Sequence, residues 1–278
     1  MNKKINILTK ENKYSIEIET NSIKKKIKHI ISSNNNVIFL IDKNVFNVFQ
    51  KINNYNKQKY ICISCSEKIK SFNYYSKLTQ KILRKGIDRK TVLVAIGGGT
   101  LGDLSGFIAS TLLRGIDLIL APTTLLSQVD SSIGGKNGIN TSFGKNLIGT
   151  FYQPKLVIID PVFLKTLPQR ELLSGYAEIV KHSLIYDKYF FNWLDKNSKN
   201  LFNLNYKVIS KAIYKSILIK KQYVLKDEKE RLKNRYSRAI LNFGHTFGHA
   251  LETYYKYNKK LTHGEAIPIG MIIASTIS

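Results

Sequence analysis

The sequence predicts an N-terminal α/β domain built on a parallel sheet, followed by a domain made of helices alone. Two observations carry this prediction. Short, wholly apolar segments alternate with amphipathic helical patterns up to about residue 160, and beyond Pro168 long helical periodicity replaces the strand signals. Strands without polar alternation are typical of parallel sheets that helices cover on both faces. We therefore expect an α/β domain over residues 1–163 and a helical domain over residues 164–278.

The first strands are predicted to form a β-hairpin. Apolar side chains fall on one face of residues 5–8 and again of residues 14–18, with a turn region over residues 9–12. The buried strands that follow are uninterrupted apolar segments at Val37–Ile41, Tyr60–Ile63, Val92–Ile96 and Leu118–Ala121. The predicted helices among them cover about 44–53, 73–85 and 99–113.

The helical domain is expected to be incomplete. Residues 265–278 form a predicted helix of small and apolar residues that ends without a glycine cap, a polar turn or a basic last turn. An apolar helix needs a partner to pack against, and none follows in the sequence.

The composition favours a soluble, cytoplasmic globular protein. An apolar content of 43% over 278 residues is ordinary for a chain with a hydrophobic core. The basic N-terminus lacks the apolar segment of a signal peptide, and no apolar segment approaches the ~20 residues that span a bilayer.

The net charge of +25 raises the question of a nucleic-acid partner. The excess is nearly all lysine and is spread along the chain, without a helix-turn-helix signal, an RNA-binding aromatic motif or an arginine-rich stripe. We therefore favour a solvated lysine surface and a small anionic substrate over nucleic acid or membrane, and we leave a homodimer open.

The two cysteines, Cys62 and Cys65, form a CxxC pattern in or just after a predicted strand. A thioredoxin-like pair would begin a helix, and no second pair completes a zinc site. We expect reduced core thiols.

A glycine-rich segment, Gly97–Asp103, follows the third buried strand and opens a helix. It fits G-x-G-x-x-G, the pattern of a Rossmann-like turn in which glycines and a helix N-terminus approach a dinucleotide pyrophosphate. A tight turn without a ligand, with Asp103 as a helix cap, is the alternative. The position after the third strand rather than the first differs from an ordinary Rossmann domain.

Two further glycine-flanked segments carry Lys136 and Lys145. We expect loops that present these ammonium groups to phosphate or carboxylate. Exposed surface lysines explain the same pattern equally well.

Glu178 lies in a predicted helix whose other positions are largely apolar. A carboxylate there must be paired or bind a metal, because burying a bare charge costs several kcal/mol. Lys181 at i+3 is a candidate salt-bridge partner, and His182 at i+4 makes a ligand pair with Glu178 conceivable.

Three of the five histidines, His245, His249 and His263, fall within 19 residues. Two histidines and one carboxylate would leave a coordination position open, as in a catalytic zinc site. The spacing alone does not decide which two histidines bind.

Taken together and in this order, these segments resemble the 3-dehydroquinate synthase family. The similar segments, which span the chain from about residue 35 to its end, are Gly97–Asp103, Pro122–Lys136, Gly144–Gly149, Thr166–Lys181, Asn242–Glu252 and His263–Glu265. The chain departs from the family pattern between Glu230 and Arg238, where it is longer and lacks the expected glycine. Family members also continue with further helices.

The resemblance implies NAD in the first domain and Zn²⁺ or Co²⁺ in the second, bound by Glu178, His245 and His263. The implied cofactor contacts are Asp42, Glu67, Lys70, Gly98, Gly99, Thr100, Leu101, Gly102, Asp103, Thr123, Thr124, Lys136, Lys145, Phe163, Leu164, Lys165 and Thr166. The implied substrate contacts are Arg114, Asp130, Lys136, Lys145, Asn146, Lys181, Lys220, Arg238, Asn242 and His249. Of these, the resemblance gives catalytic roles to His249, Lys136, Lys181 and Arg114.

The family's substrate is 3-deoxy-D-arabino-heptulosonate 7-phosphate. The resemblance implies that a ring hydroxyl is oxidised by NAD⁺, phosphate is eliminated, the hydride is returned, and an intramolecular aldol closes the carbocycle. NAD is then a catalyst rather than a net reactant. The alternatives are another sugar-phosphate cyclase, a metal-dependent polyol dehydrogenase, a non-catalytic remnant and a nucleic-acid binder.

Overall fold

The computed structural model describes residues 2–9, 12–52, 59–255 and 261–277. The strands in this part of the chain are β1 (Asn2–Leu8), β2 (Lys13–Glu19), β3 (Val37–Asp42), β4 (Lys59–Ile63), β5 (Val92–Gly97), β6 (Asp117–Pro122), β7 (Lys136–Thr141), β8 (Gly144–Phe151) and β9 (Leu156–Ile159). The helices are α1 (Ile23–Ser33), α2 (Lys43–Ile52), α3 (Phe72–Leu83), α4 (Gly99–Thr111), α5 (Gln169–Tyr186), α6 (Lys188–Phe202), α7 (Tyr206–Lys226), α8 (His245–Tyr254) and α9 (His263–Ile277).

The chain divides into two compact units. Unit 1 comprises Met1–Thr123 and Gly134–Thr166, and unit 2 comprises Thr124–Ile133 and Leu167–Ser278. Unit 1 contains every strand named above, and unit 2 contains α5 to α9. An α/β region followed by helices was the predicted fold class, and it is confirmed. The assignment of residues 1–163 and 164–278 to two functional domains stays a prediction.

A seven-stranded sheet forms the centre of unit 1, in the order β1-β2-β9-β6-β5-β3-β4. β1 pairs with β2 as the predicted antiparallel hairpin, and the other pairs in the sheet are parallel. Residues 10 and 11 of the predicted turn lie outside the described residues. The four predicted parallel strands are confirmed as β3 to β6, each with bounds that extend the prediction by one or two residues.

Continuous apolar strands build the core on the sheet. Phe39, Val94 and Ile96 are at most 1% exposed. Helix α1 covers them with Ile23, Ile27 and Ile30, which recur at helical spacing on its buried face. Each such side chain contributes about 1.5–3 kcal/mol when it leaves water, so burial of this face fixes the helix on the sheet.

Two expectations about unit 1 were wrong. The segments around Lys136 and Lys145 are not loops, because β7 and β8 pair there as an antiparallel hairpin. The cysteines are unpaired thiols but not core residues, since Cys62 is exposed and Cys65 is only half-buried. Burial raises the pKa of the Cys65 thiol, which therefore stays protonated and unreactive.

Glycines bring α8 and α9 of unit 2 close together. A Cβ on Gly270 would collide with the backbone of Gly244, and one on Gly248 would lie 2.7 Å from Ile267 Cδ1. Gly244 itself has a φ of 79°, a left-handed conformation that permits the sharp entry into α8. Because His245 and His263 begin these two helices, the close packing sets the separation of their imidazoles.

Candidate functional site

The glycine-rich turn of unit 1 lies where the strand order of the sheet reverses. β3 and β5 are neighbours, β4 continues the sheet on one side, and β6 and β9 continue it on the other. Ligands of open α/β sheets bind outside the carboxyl ends of the strands at such a point. Asp42 ends β3 here, and Gly98 is the N-cap of α4 directly after β5. The free amides in the first turn of α4 therefore face the position expected for a nucleotide phosphate.

Two glycines of this turn, Gly97 and Gly102, occupy their positions for different physical reasons. A Cβ on Gly97 would lie 2.7 Å from Leu101 Cδ2 and 3.2 Å from Asp42 Cβ, so packing requires glycine there. A Cβ on Gly102 would meet no atom within 4 Å. Protein packing therefore does not explain glycine at this second position.

A network of hydrogen bonds joins three residues of the predicted cofactor and substrate sets. The Lys70 side chain is almost fully buried, and its Nζ donates to Asp103 Oδ2 at 2.7 Å and to Asn146 Oδ1 at 2.5 Å. Asp103 lies within α4 and Asn146 within β8. Lys70 thus ties the glycine-rich helix to the β7–β8 hairpin.

Asn140, which no sequence motif indicated, extends this network. Its Nδ2 donates to Glu67 Oε1 at 2.7 Å, and its Oδ1 accepts from the Asn146 amide at 3.0 Å. Thr100 Oγ1 lies 3.5 Å from the other Glu67 oxygen. An asparagine in a segment predicted as a loop carried no signal of this role.

The remaining predicted cofactor residues differ in what they expose. Phe163 and Leu164 are buried, and Phe163 belongs to the apolar core of unit 1. Lys165 and Thr166 are exposed. Thr123 belongs to unit 1, but Thr124 belongs to unit 2.

Arg114 lies in a strained turn after α4. Its φ is 69° and that of Leu113 is 51°, left-handed values that cost a non-glycine residue about 1–3 kcal/mol. The Arg114 side chain is exposed, as is Lys136 at the start of β7, while Lys145 in β8 is half-buried. Strain of this kind is concentrated at functional sites, and here it accompanies an exposed guanidinium.

Three potential metal ligands converge in unit 2. Glu178 Oε1 lies 3.8 Å from His245 Nε2 and 3.7 Å from His263 Nε2. The Glu178 side chain is 1% exposed, and this oxygen accepts no hydrogen bond from the described residues. A buried carboxylate oxygen without a donor is costly. Facing two imidazole nitrogens, it fits a divalent cation that keeps an open coordination position.

Glu178 lies on α5 and His263 on α9, and contacts between these two helices position both ligands. Arg170, Ser174 and Glu178 recur every four residues and so share one face of α5. The Ser174 hydroxyl accepts from the Gly264 amide at 2.9 Å, directly after His263. Arg170 forms a bidentate ion pair with Glu265, with both N–O distances at 2.7 Å.

Glu265 also caps α9. Its Oε2 accepts from the Thr262 amide at 2.7 Å and from the Thr262 hydroxyl at 2.8 Å, while the Glu265 amide donates to the Thr262 carbonyl. This is the glutamate half of a capping box, in which the carboxylate at the third helical position accepts from the N-cap amide. Since His263 is the first residue of α9, the cap and the Arg170 ion pair together fix the backbone from which its side chain extends.

Charges around the three ligands favour metal binding. Burial raises the pKa of Glu178, but the Lys181 charge and the imidazoles of His263 and His245 together outweigh burial, lower the pKa to about 2 and keep the carboxylate ionised. Burial and the Lys181 charge lower the pKa of His245 to about 4, so its imidazole is neutral at pH 7. Burial lowers the pKa of His263, but Glu178 and Glu252 raise it to about 9. An ion that binds there must therefore displace a proton from His263.

A second charged cluster in unit 2 contains two of the predicted substrate residues. Lys220 Nζ donates to Asp130 Oδ1 at 2.6 Å and to the Asp130 carbonyl at 2.7 Å. Burial lowers the pKa of Lys220 to about 8. His182, which the family does not use as a ligand, is fully buried with Nδ1 2.6 Å from Ser216 Oγ and Nε2 3.5 Å from Asp130 Oδ1.

Arg238 is buried. It ends the segment, residues 230–238, in which the sequence is expected to depart from the family pattern. Its backbone amide donates to Asp227 Oδ2 at 3.0 Å, and its Nη1 donates to the Glu228 carbonyl at 2.9 Å. Asn242 Nδ2 donates to Glu230 Oε1 at 3.1 Å. Both predicted residues are thus held by hydrogen bonds.

His249 lies beside the three ligands on the exposed side. Its ring centroid is 5.2 Å from that of His245 and 6.0 Å from that of His263, and its side chain is 57% exposed. The same helix carries Glu252, which is not among the predicted site residues. His245, His249 and Glu252 are spaced i, i+4 and i+7 on one helix face, and this spacing was the available signal.

Both halves of the chain match models of one family. Residues 60–174 match the N-terminal model of 3-dehydroquinate synthase, and residues 175–278 match its C-terminal model. A curated 3-dehydroquinate synthase from Pelagibacter ubique is 46% identical over 99% of this chain and 76% of its own length. The chain belongs to the 3-dehydroquinate synthase family. The resemblance stated from the motifs is confirmed.

Solved cyclase structures share the fold of this synthase-family chain. A 2-deoxy-scyllo-inosose synthase, solved with carbaglucose-6-phosphate, NAD⁺ and Co²⁺, has a TM-score of 0.84 and 28% identity, covering 97% of this chain and 74% of its own. A 2-epi-5-epi-valiolone synthase from Streptomyces hygroscopicus, solved with NAD⁺ and Zn²⁺, has a TM-score of 0.82 and 25% identity, covering 95% and 74%.

No helix in the described part of this family member is long and apolar enough to cross a membrane. Two further expectations, that the protein has no nucleic-acid partner and that it forms a homodimer, stay predictions.

Proposed function

We propose that this chain converts 3-deoxy-D-arabino-heptulosonate 7-phosphate into 3-dehydroquinate and phosphate, as a carbon–oxygen lyase. The observation that carries the proposal is the convergence of a donor-free buried carboxylate oxygen with two imidazole nitrogens in a synthase-family chain. That donor set is suited to a catalytic divalent ion, which a binding or structural protein would not need.

The proposed cofactors are NAD and Zn²⁺ or Co²⁺. Bound NAD would supply a hydride acceptor that is restored within each turnover, and the bound ion would supply a Lewis acid for a substrate hydroxyl. The proposed NAD contacts in unit 1 are centred on Asp42, Gly98 and the first turn of α4, where Gly102 leaves room for close approach. The proposed metal ligands are Glu178, His245 and His263.

Cationic side chains would bind the two anionic groups of the substrate. In unit 2, Lys181 and Lys220 are held by carboxylates, and Arg238 is held by backbone groups, so these side chains are pre-oriented. In unit 1, the strained turn at Arg114 and the hairpin residue Lys136 offer exposed charges. Pre-positioned cations contribute to rate because they need not reorganise as charge develops.

Phosphate release tests this function. Purified protein with Zn²⁺ and catalytic NAD⁺ should release phosphate from the heptulosonate phosphate with no net NADH. Stoichiometric NADH would indicate a dehydrogenase instead, and release from glucose 6-phosphate but not from the heptulosonate would indicate another cyclase. No turnover with intact metal and NAD⁺ binding would indicate a non-catalytic remnant.

His263→Ala tests the ligand set. The variant should lose both bound metal and phosphate release while NAD⁺ affinity stays within about twofold, because the proposed NAD contacts, apart from Thr124, belong to the other unit. His29→Ala is the matched control, since His29 is an exposed histidine on α1. Zinc retained by His263→Ala at wild-type affinity would rule out the proposed ligands.

A further inference from the structure

Glu252 is a buried carboxylate on α8 that faces a proposed metal ligand from behind. The residue is 5% exposed, and its Oε2 lies 3.3 Å from His263 Nδ1. The other nitrogen of that ring, Nε2, faces Glu178 Oε1 at 3.7 Å. The two nitrogens of one imidazole are therefore directed at two different carboxylates.

The chemistry of imidazole gives this arrangement a consequence. A neutral imidazole carries its proton on one nitrogen and offers a lone pair on the other. A proton on Nδ1, donated to Glu252, leaves the Nε2 lone pair for an ion next to Glu178. Carboxylates that accept from the distal nitrogen of a metal-bound histidine fix its tautomer and ring orientation and raise its basicity.

We propose that Glu252 is a positioning residue for the metal site, acting through the Nδ1–H of His263. The proposal rests on the metal site of the proposed function. Glu252 does not touch the ion in this arrangement; it sets which nitrogen of His263 binds and where that nitrogen lies.

His249 offers a competing role for the same carboxylate. Glu252 Oε2 lies 3.8 Å from His249 Nε2, and His249, Glu252 and His263 could themselves surround an ion. A second ion there would require His263 to bind metals through both nitrogens, which means losing its last ring proton. His249 is also mostly exposed. A single ion, with Glu252 accepting from the distal nitrogen of His263, explains the geometry without a fully deprotonated imidazole.

Metal affinity, measured by competition with a chelator, tests the proposal. Glu252→Ala should weaken Zn²⁺ binding about 10–100-fold, the usual effect of removing such a partner. Glu252→Gln should weaken it less, because a glutamine oxygen still accepts from Nδ1–H but carries no charge. Glu171→Gln is the matched control: it removes one exposed carboxylate from α5 and should leave affinity unchanged.

A spectroscopic measurement separates positioning from general damage to the fold. With Co²⁺ bound, the visible absorption bands of the Glu252 variants should shift, because the ligand field changes when the His263 ring is free to turn. The cooperative unfolding transition of metal-free Glu252→Gln should remain single, which shows that the affinity was measured on folded protein.

The His249→Ala background decides which histidine Glu252 acts through. Adding Glu252→Gln to His249→Ala should cause the same fold-loss of Zn²⁺ affinity as in the wild type. If the loss disappears there, Glu252 acts through His249 and the proposal is overturned. Two ions bound per chain, one of them lost in Glu252→Gln, would overturn it as well.

The failure of this proposal is distinguishable from failure of the proposed function. A wild-type chain that binds no divalent ion would overturn both. A wild-type chain that binds one ion, with Glu252→Ala and Glu252→Gln binding it equally tightly, would overturn the role of Glu252 alone.

Discussion

Asp160 in unit 1 and Glu178 in unit 2 are both buried carboxylates, but their surroundings are opposite. Asp160 Oδ1 accepts from the amides of Asn21 and Val162 at 3.0 and 3.1 Å. Its Oδ2 accepts from the amides of Ser22 and Ile23 at 2.8 and 3.1 Å, at the start of α1. Glu178 pairs one oxygen with Lys181 and leaves the other without a hydrogen-bond donor among the described residues.

The difference separates a structural carboxylate from a binding one. Four backbone amides are fixed parts of the fold, so Asp160 is complete without any ligand. Movable imidazoles around an unsatisfied oxygen leave Glu178 incomplete. Among the described residues, the buried side chains of Asp, Glu, Lys, Arg and His are mainly in unit 2. Those of unit 1 are Asp42, Lys70 and Asp160; those of unit 2 are Glu178, Lys181, His182, Lys220, Asp227, Arg238 and Glu252.

Removing the structural carboxylate should have the largest effect on stability. Asp160→Ala takes the acceptor from four amides, and buried donors left unpaired cost about 1–3 kcal/mol each, less where water enters. We expect a loss of at least about 3 kcal/mol in the free energy of unfolding, equal with and without Zn²⁺, by chemical denaturation. Asp117→Ala, at an exposed ion pair with Lys155, should change it by less than about 0.5 kcal/mol. If the loss of unfolding free energy in Asp160→Ala depended on Zn²⁺, Asp160 would not be a purely structural carboxylate and its contrast with Glu178 would fail.

Glu178 should show the reverse dependence. Zn²⁺ at about 100 times its dissociation constant should raise the unfolding free energy of the wild type by about 2.7 kcal/mol, because the ion binds only the folded chain. Glu178→Gln should gain nothing from Zn²⁺ in the same denaturation experiment. It should also be less stable without metal, since Lys181 keeps a buried charge and loses its partner. An equal gain in both proteins would show that Glu178 does not bind the ion.

The sequence predicted unit 1 well where burial is complete. Strands β3 and β5 are buried on both faces, so they are continuous apolar segments, and their short length and β-branched residues favour strand over helix. The β7–β8 hairpin was missed because its glycines and lysines resemble a loop; glycine is required at Gly138 and Gly149 because a Cβ would collide with the facing strand. β9 was missed because four apolar residues are too short a signal.

The candidate site of unit 2 could be predicted only in part. Spacing places His245, His249 and Glu252 on one face of a helix, but it cannot bring Glu178 of another helix beside them. That distance depends on glycine contacts and on the Arg170–Glu265 ion pair, whose partners lie far apart in the sequence. The resemblance supplied the ligand set that spacing left open, and it offered nothing for Glu252, Arg170 or Asn140.

Asp227 is a structural carboxylate inside unit 2, and it sharpens the comparison through pH. Burial raises the pKa of Asp227, but the amides of Arg238, Arg231 and Leu232, which donate to it, lower it below its ordinary value. A carboxylate whose pKa is lower in the folded chain stabilises the fold above its ordinary value of about 4. That contribution is lost as the pH falls through the folded value.

Asp227→Asn should therefore cost about 1.5 kcal/mol of unfolding free energy at pH 7, because an amide NH₂ replaces one acceptor oxygen. The difference from the wild type should be constant between about pH 5 and 7 and should narrow as the pH falls below about 4. Urea denaturation from pH 3 to 7 measures it, with Asp195→Asn on the exposed face of α6 as the control. Since Asp227 is completed by backbone amides, Zn²⁺ should not alter this difference. If the loss of unfolding free energy in Asp227→Asn depended on Zn²⁺, the ion would stabilise all of unit 2. Glu178 and Asp160 would then differ because they lie in different units, and not because one carboxylate is satisfied by backbone amides and the other by an ion.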